Sequence, residues 1–111
     1  MLAKQNRIRK KKEFAYIYKK NNCFYTKHLT LYVVTTKMPQ SKVGFSVNNK
    51  VGNSVIRHKV KRRLSEIVRG ILPTLPVRNY VYVAKVGVAE LNFDNLQNEV
   101  LEVTNKFTKK V

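Results

Sequence analysis

The sequence predicts an α+β fold in which helices cover a small sheet. Two segments carry apolar residues at helical spacing, Ile56 to Ile71 and Phe93 to Phe107. A third, residues 42–47, alternates Val43, Phe45 and Val47 with Lys42, Gly44 and Ser46, as a half-buried strand does. Two more, HLTLYVVTT and YVYVAKV, are rich in β-branched and aromatic residues. The resulting order is helix, strands, helix, strand, helix.

Taken in order, residues 11–20 form a short helix with Phe14 and Tyr18 on one face. Phe24 to Lys27 opens a strand that resumes as His28 to Thr36. Met38-Pro39-Gln40 reads as a turn. After the strand at Val43–Val47 comes the main helix, with Asn53 as its N-cap and Gly70 near its C-cap. Its stripe of Ile56, Val60, Leu64, Ile67 and Ile71 spans roughly an 80° arc at 100° per residue. Pro73 and Pro76 mark a loop, and Tyr80 to Val86 is the next strand. The last helix begins near Asn92, with Phe93, Leu96, Val100, Val103 and Phe107 as its packing face. No internal repeat, low-complexity segment or linker interrupts the chain, which reads as one domain over residues 1–111.

Charge sets the functional class. The 111 residues include 23 Lys plus Arg against 6 Asp plus Glu, a formal net charge of +17. A hydrophobic fraction of 43% still supports a folded core, so this is no disordered basic tail. Residues 4–20 hold eight cations and one acid, Glu13. The segment from Arg57 to Arg69 holds six cations and one acid, Glu66. Those six fill most of the circumference that the apolar stripe leaves free. A helix with one side for a core and the rest for cations is built to lie against a polyanion, and such an excess points to nucleic acid.

Other classes lack support. No apolar run reaches the ~20 residues of a membrane span. No bulky apolar surface helix suggests a membrane partner. The start, MLAKQNRIRKKKEF, has charges but no apolar h-region, so no secretory signal is read there. Cys23 is the only cysteine, which excludes disulfide frameworks and cysteine zinc clusters. His28 and His58 have no ligand-spaced partners, so no protein metal site is expected. No glycine-rich phosphate loop and no local Ser-His-Asp or Cys-His motif is present. Glu66, among Arg62, Arg63 and Arg69, reads as an ion-pair partner. Catalytic chemistry is therefore not expected from these side chains.

Aromatics beside cations complete the pattern. Phe14, Tyr16 and Tyr18 follow Lys10-Lys11-Lys12, while Tyr32, Phe45, Tyr80 and Tyr82 lie on strands. Rings stack on unpaired bases while neighbouring cations track phosphates. Packing is the competing role for each ring, and for Tyr80 and Tyr82 it is the favoured one.

Three stretches carry a family resemblance over nearly the whole chain. They are Arg9-Lys10-Lys11-Lys12-Glu13-Phe14, Val43-Gly44-Phe45-Ser46-Val47, and Val51-Gly52-Asn53-Ser54-Val55-Ile56-Arg57 continuing to Val60-Lys61-Arg62-Arg63-Leu64. The last resembles the Gly-Asn-Ala-Val, Arg-Asn-Arg, Lys-Arg signature of the bacterial ribonuclease P protein component. The resemblance implies a four-stranded mixed sheet in αβββαβα order, with a left-handed βαβ crossover through the basic helix, as in a ribosomal protein domain. It implies a cytoplasmic ribonucleoprotein that removes the 5′ leader of precursor tRNA by phosphodiester hydrolysis. The catalytic RNA would hold Mg2+ and perform the chemistry, with no obligate protein partner. By position, Asn53, Arg57, His58, Lys59, Lys61 and Arg62 would face the catalytic RNA. Phe14, Tyr18 and Tyr32, with Ser46 and Lys50 nearby, would form the leader cleft.

This chain departs from the family pattern in places. His58 stands for Asn and Lys59 for Arg, while Ser65 and Asn49 replace commonly basic residues. Lys59 keeps charge but loses the planar fork. Two readings compete with the leading one. A ribosomal or other structural RNA-binding protein would be equally basic. A duplex-DNA binder would need the basic helix exposed to a major groove.

Overall fold

The computed structural model describes residues 2–109. Three helices, α1 (Lys11–Lys20), α2 (Ser54–Ile71) and α3 (Phe93–Thr108), surround a sheet of β1 (Cys23–Tyr25), β2 (Leu29–Val34), β3 (Lys42–Val47) and β4 (Asn79–Ala84). The strand order is β1-β2-β4-β3. β2 is antiparallel to both neighbours, and β3 runs parallel to β4. The sheet is therefore mixed, and α2 is the crossover between its two parallel strands.

Asparagine caps, that at Asn53 as expected, explain the starts of α2 and α3. The Asn53 side chain accepts from the Ile56 N–H at 3.0 Å, and the Asn92 side chain from the Asn95 N–H at 2.8 Å. α1 ends on Asn21, which adopts the left-handed conformation at φ 53°, one that Asn tolerates. Gly70 lies near the end of α2, as expected, but does not itself stop the helix. α2 runs through Gly70 to Ile71 and tightens into a 3-10 turn over Leu72–Thr74, so Pro73 rather than a left-handed glycine redirects the chain.

A second difference concerns the early strand. Residues 24–36 do not extend one strand but fold into the β1–β2 hairpin, with Cys23 opposite Tyr32. Glu99 of α3 holds the bend. One carboxylate oxygen accepts from the Thr26 hydroxyl and the His28 N–H, each at 2.7 Å, and the other lies 2.8 Å from His28 Nδ1. Lys85 Nζ donates to the Thr26 carbonyl at 2.7 Å, and Lys106 Nζ to that of Tyr25 at 2.8 Å. Burial pushes the Glu99 carboxyl up, but the hydrogen bonds from His28 and Thr26 outweigh it and leave the group below the usual carboxylate range.

Strand register divides the side chains between two faces. Leu29, Leu31, Val33, Val43, Tyr80, Tyr82 and Ala84 are buried on the face covered by α2 and α3. Val60, Leu64, Ile67 and Val68 of α2 and Leu96, Val100, Val103 and Phe107 of α3 complete this core. Burial of each large apolar side chain stabilises the fold by about 1.5–3 kcal/mol. Ile56 and Phe93, the first members of the two helical stripes, are exposed beyond the core. Tyr80 and Tyr82 are core residues rather than base-stacking platforms. The Tyr80 hydroxyl donates to the Pro76 carbonyl, and the Tyr82 hydroxyl bonds to that of Thr104 at 2.8 Å. Burial pushes the Tyr80 phenol up to about 12.

The opposite face is lighter. α1 covers it with Ile17, which packs with Ile8, Val34 and Val81 and, at their margin, Phe14, Tyr32 and Val83. The N-terminal segment adds one parallel bridge to the β3 edge, where the Ile8 N–H donates to the Val43 carbonyl at 3.0 Å.

Candidate nucleic-acid interface

α2 sorts its cations by angle. Arg57 and Lys61 are one turn apart, as are His58 and Arg62, so the four make two adjacent rows. His58, Lys61 and Arg62 are exposed, and Arg57 is half-buried. The Arg57 guanidinium is held in place. Its Nε donates to the Gly52 carbonyl at 3.2 Å and its Nη1 to Asn49 Oδ1 at 2.9 Å. Lys59 departs from this group. It lies on the other flank of α2, lining a crevice with Arg63 and residues 89–92. Asn53 is partly committed, because its side-chain oxygen caps the helix.

Two more α2 cations already have protein partners. Arg63 Nη1 donates to the Leu91 carbonyl at 3.5 Å, and Arg69 pairs with Glu66 at 2.9 Å. The ion pair is the one the sequence indicated. Ser65 is buried, at the α2 wall of a pocket that it shares with Lys61 and Arg62.

The aromatic set assembles on the α1 face of the sheet. Phe14 and Tyr18 have ring centroids 6.3 Å apart, and Tyr18 meets Tyr32 edge-on at 5.0 Å. Burial pushes the Tyr32 phenol up. Ser46 shares this face, since its partner Val83 does, but lies two strands from Tyr32. Lys50 is exposed in the 3-10 turn that follows β3. The row of three rings is thus contiguous, whereas Ser46 lies on the edge strand β3 and Lys50 in the turn that follows it.

Gly44 lets the two sets meet. A Cβ there would lie 2.7 Å from Cε1 and Cζ of Phe14, so the ring rests directly on the β3 backbone. That position also brings Phe14 into a shared pocket with His58, Lys61 and Arg62 of α2. Phe45, named from the sequence only among the aromatics beside cations, lines the same pocket, as do Arg7 and Arg9, which were not named as site residues. For Arg9 a signal existed, since it opens the Arg9-to-Phe14 motif.

Among the described residues, no group of three or more His, Cys, Asp or Glu could hold a metal ion. No helix among them is long and apolar enough to cross a membrane.

The fold and this surface define a small basic α+β protein of the RNA-binding class. The ribonuclease P family model matches residues 2–108. A Clostridium botulinum ribonuclease P protein component is 33% identical over 105 residues, covering 93% of this chain and 95% of that one. A Lactococcus lactis counterpart is 30% identical over 102 residues, covering 92% and 87%. A Staphylococcus aureus RNase P protein mutant with defective mRNA degradation activity superposes with a TM-score of 0.89 at 25% identity, covering 95% of this chain and 90% of that one. The Thermotoga maritima RNase P protein shares the fold at 0.79 and 21% identity, covering 86% and 94%. The chain belongs to the ribonuclease P protein family, whose members are components of an endoribonuclease. That membership does not favour a structural RNA-binding role without nuclease function.

Proposed function

We propose that this chain is the cytoplasmic protein subunit of a ribonuclease P holoenzyme and acts on the 5′ leader of precursor tRNA. Arg57, His58, Lys61 and Arg62 bind the catalytic RNA. Lys59 meets a separate RNA segment on the other flank of α2, and Asn53 contributes its amide nitrogen. Phe14, Tyr18 and Tyr32 stack on unpaired leader bases, with Ser46 and Lys50 along the leader path. The observation that carries the reading is the junction at Phe14, where the cationic rows of α2 adjoin the aromatic row of α1 and β2.

The protein's contribution is electrostatic and positional. Cations placed where RNA phosphates crowd offset their repulsion and hold substrate and catalytic RNA in register. None of the described residues would hold magnesium; the metal, held by RNA oxygens, would supply the activation of water and the stabilisation of the leaving oxygen. Reconstitution tests this. Adding the protein to its cognate catalytic RNA should restore precursor-tRNA cleavage at low magnesium. No gain in cleavage at any magnesium concentration would overturn the proposal.

A further inference from the structure

We propose that the pocket between the N-terminal segment, β3 and α2 receives the base of one unpaired nucleotide of the catalytic RNA. The pocket is about 360 Å³, within the range of a small-ligand site. The pocket wraps the edge of β3, and its apolar lining comes from Leu2, Ile8, Val43 and Phe45, with Phe14 reaching it from the α1 face. The Phe45 ring is itself backed by Tyr82, with centroids 6.0 Å apart and planes 24° from parallel. A flat aromatic guest therefore finds a supported ring to stack on.

The rim has one sign of charge. Arg9 approaches from the N-terminal segment, and Lys61 and Arg62 from α2, with no acid among the lining residues. Arg7 also lines it, but its Nε is committed to the Leu2 carbonyl at 2.8 Å. Apolar lining and cationic rim match the two halves of a nucleotide, base against the lining and phosphate at the rim. A flat RNA backbone would use the rim and leave the apolar lining unused. Phe14 at one end of the pocket is assigned to the leader, but the cationic rim on α2 is assigned to the catalytic RNA, and it is this rim that points to the catalytic RNA as the source of the nucleotide. The inference thus rests on that assignment, though its test separates the two.

The full-length protein is titrated with uridine 5′-monophosphate and, separately, with ribose 5-phosphate, and binding is followed by NMR shifts of residues around the pocket. The nucleotide should bind and shift Phe45 and Ser65, and ribose 5-phosphate should bind roughly tenfold more weakly. Ser65→Met fills the pocket from α2, and Arg9→Ala removes an exposed rim charge without touching the core. Each should weaken nucleotide binding, and each should lower affinity for the catalytic RNA in the holoenzyme. Arg57→Ala should leave nucleotide binding unchanged while weakening the RNA. Equal binding of both ligands would reduce the pocket to a phosphate site and overturn base insertion. A loss of precursor over mature tRNA preference in Ser65→Met or Arg9→Ala would assign the nucleotide to the leader and overturn the source. No nucleotide binding alongside successful reconstitution would sink the pocket alone. Nucleotide binding with failed reconstitution would sink the ribonuclease P reading alone.

Discussion

The Arg57 guanidinium and the Asn49 side chain are joined by a 2.9 Å hydrogen bond across the entrance to α2. Asn49 stands where a basic residue is common in the family pattern, so it removes a charge. The structure gives it a second effect, since it fixes the direction of a neighbouring charge. Asn49→Ala should free Arg57 and weaken catalytic-RNA binding by a few-fold, while leaving the salt dependence nearly unchanged. An exposed hydrogen bond of this kind is worth about 1 kcal/mol. Filter-binding titrations at two salt concentrations measure both quantities.

Arg57→Ala and Lys61→Ala remove the charges themselves. Each should flatten the log–log dependence of RNA affinity on salt by about 0.9 if it neutralises one phosphate. Arg69→Ala, which only breaks an exposed pair with Glu66, should leave the slope as it is. Equal slopes in all three variants would remove the α2 face from the interface.

Phe14→Ala and Tyr18→Ala should weaken precursor tRNA more than mature tRNA. Base stacking is worth about 1–3 kcal/mol per base, so the preference should fall by roughly tenfold. Competition between the two tRNAs in the reconstituted holoenzyme reads the ratio directly. Equal losses for both would assign these rings to packing.

Gly44→Ala tests the close approach beneath Phe14. The added methyl would sit 2.7 Å from two ring carbons, so the ring must move or β3 must bend. Overpacking of this kind costs about 1–3 kcal/mol. Thermal unfolding should show the loss, and the precursor preference should fall with it.

Glu99→Gln tests the clasp on the β1–β2 turn. Hydrogen bonds to a charged group contribute about 1.5–3 kcal/mol each when partly buried, so the variant should lose stability at neutral pH. The sign with pH follows from the direction of the shift. The Glu99 carboxyl titrates below its ordinary 4.5 in the folded state. Its contribution is therefore complete above the unfolded value and fades as pH falls through the lower folded one. Denaturant unfolding between pH 6 and pH 3 should show a steeper decline in the parent than in the variant.

Helical spacing and strand alternation made most of the framework legible in advance. The stripe from Val60 to Ile67 and the stripe from Leu96 to Phe107 both lie in the core. The family pattern counts three strands before the basic helix, but the residue pattern did not place the bend between β1 and β2, which depends on Glu99, more than 70 residues away in sequence. Gly70 lies near the helix end, where the sequence put it, but the turn there is set by Pro73 and not by a left-handed glycine. The aromatic row and the basic face could be named residue by residue from the family pattern. Their meeting at Phe14 could not, since it depends on how closely α1 approaches β3. Lys59 shows the limit of position alone. It belongs to the signature run, yet a 100° step per residue turns it away from its neighbours.

The strand order β1-β2-β4-β3 has a consequence for how the molecule forms. β4 is the last strand to be synthesised, yet it lies between two earlier ones. Until residues 79–84 leave the ribosome, β2 and β3 each expose an edge meant for it. The basic helix is complete before its supporting sheet can exist. A nascent chain at that stage is a cationic helix without a core, surrounded by ribosomal RNA. Assembly must then close contacts far apart in sequence, which slows folding. Release from the ribosome and acquisition of the final shape are therefore coupled through a single central strand.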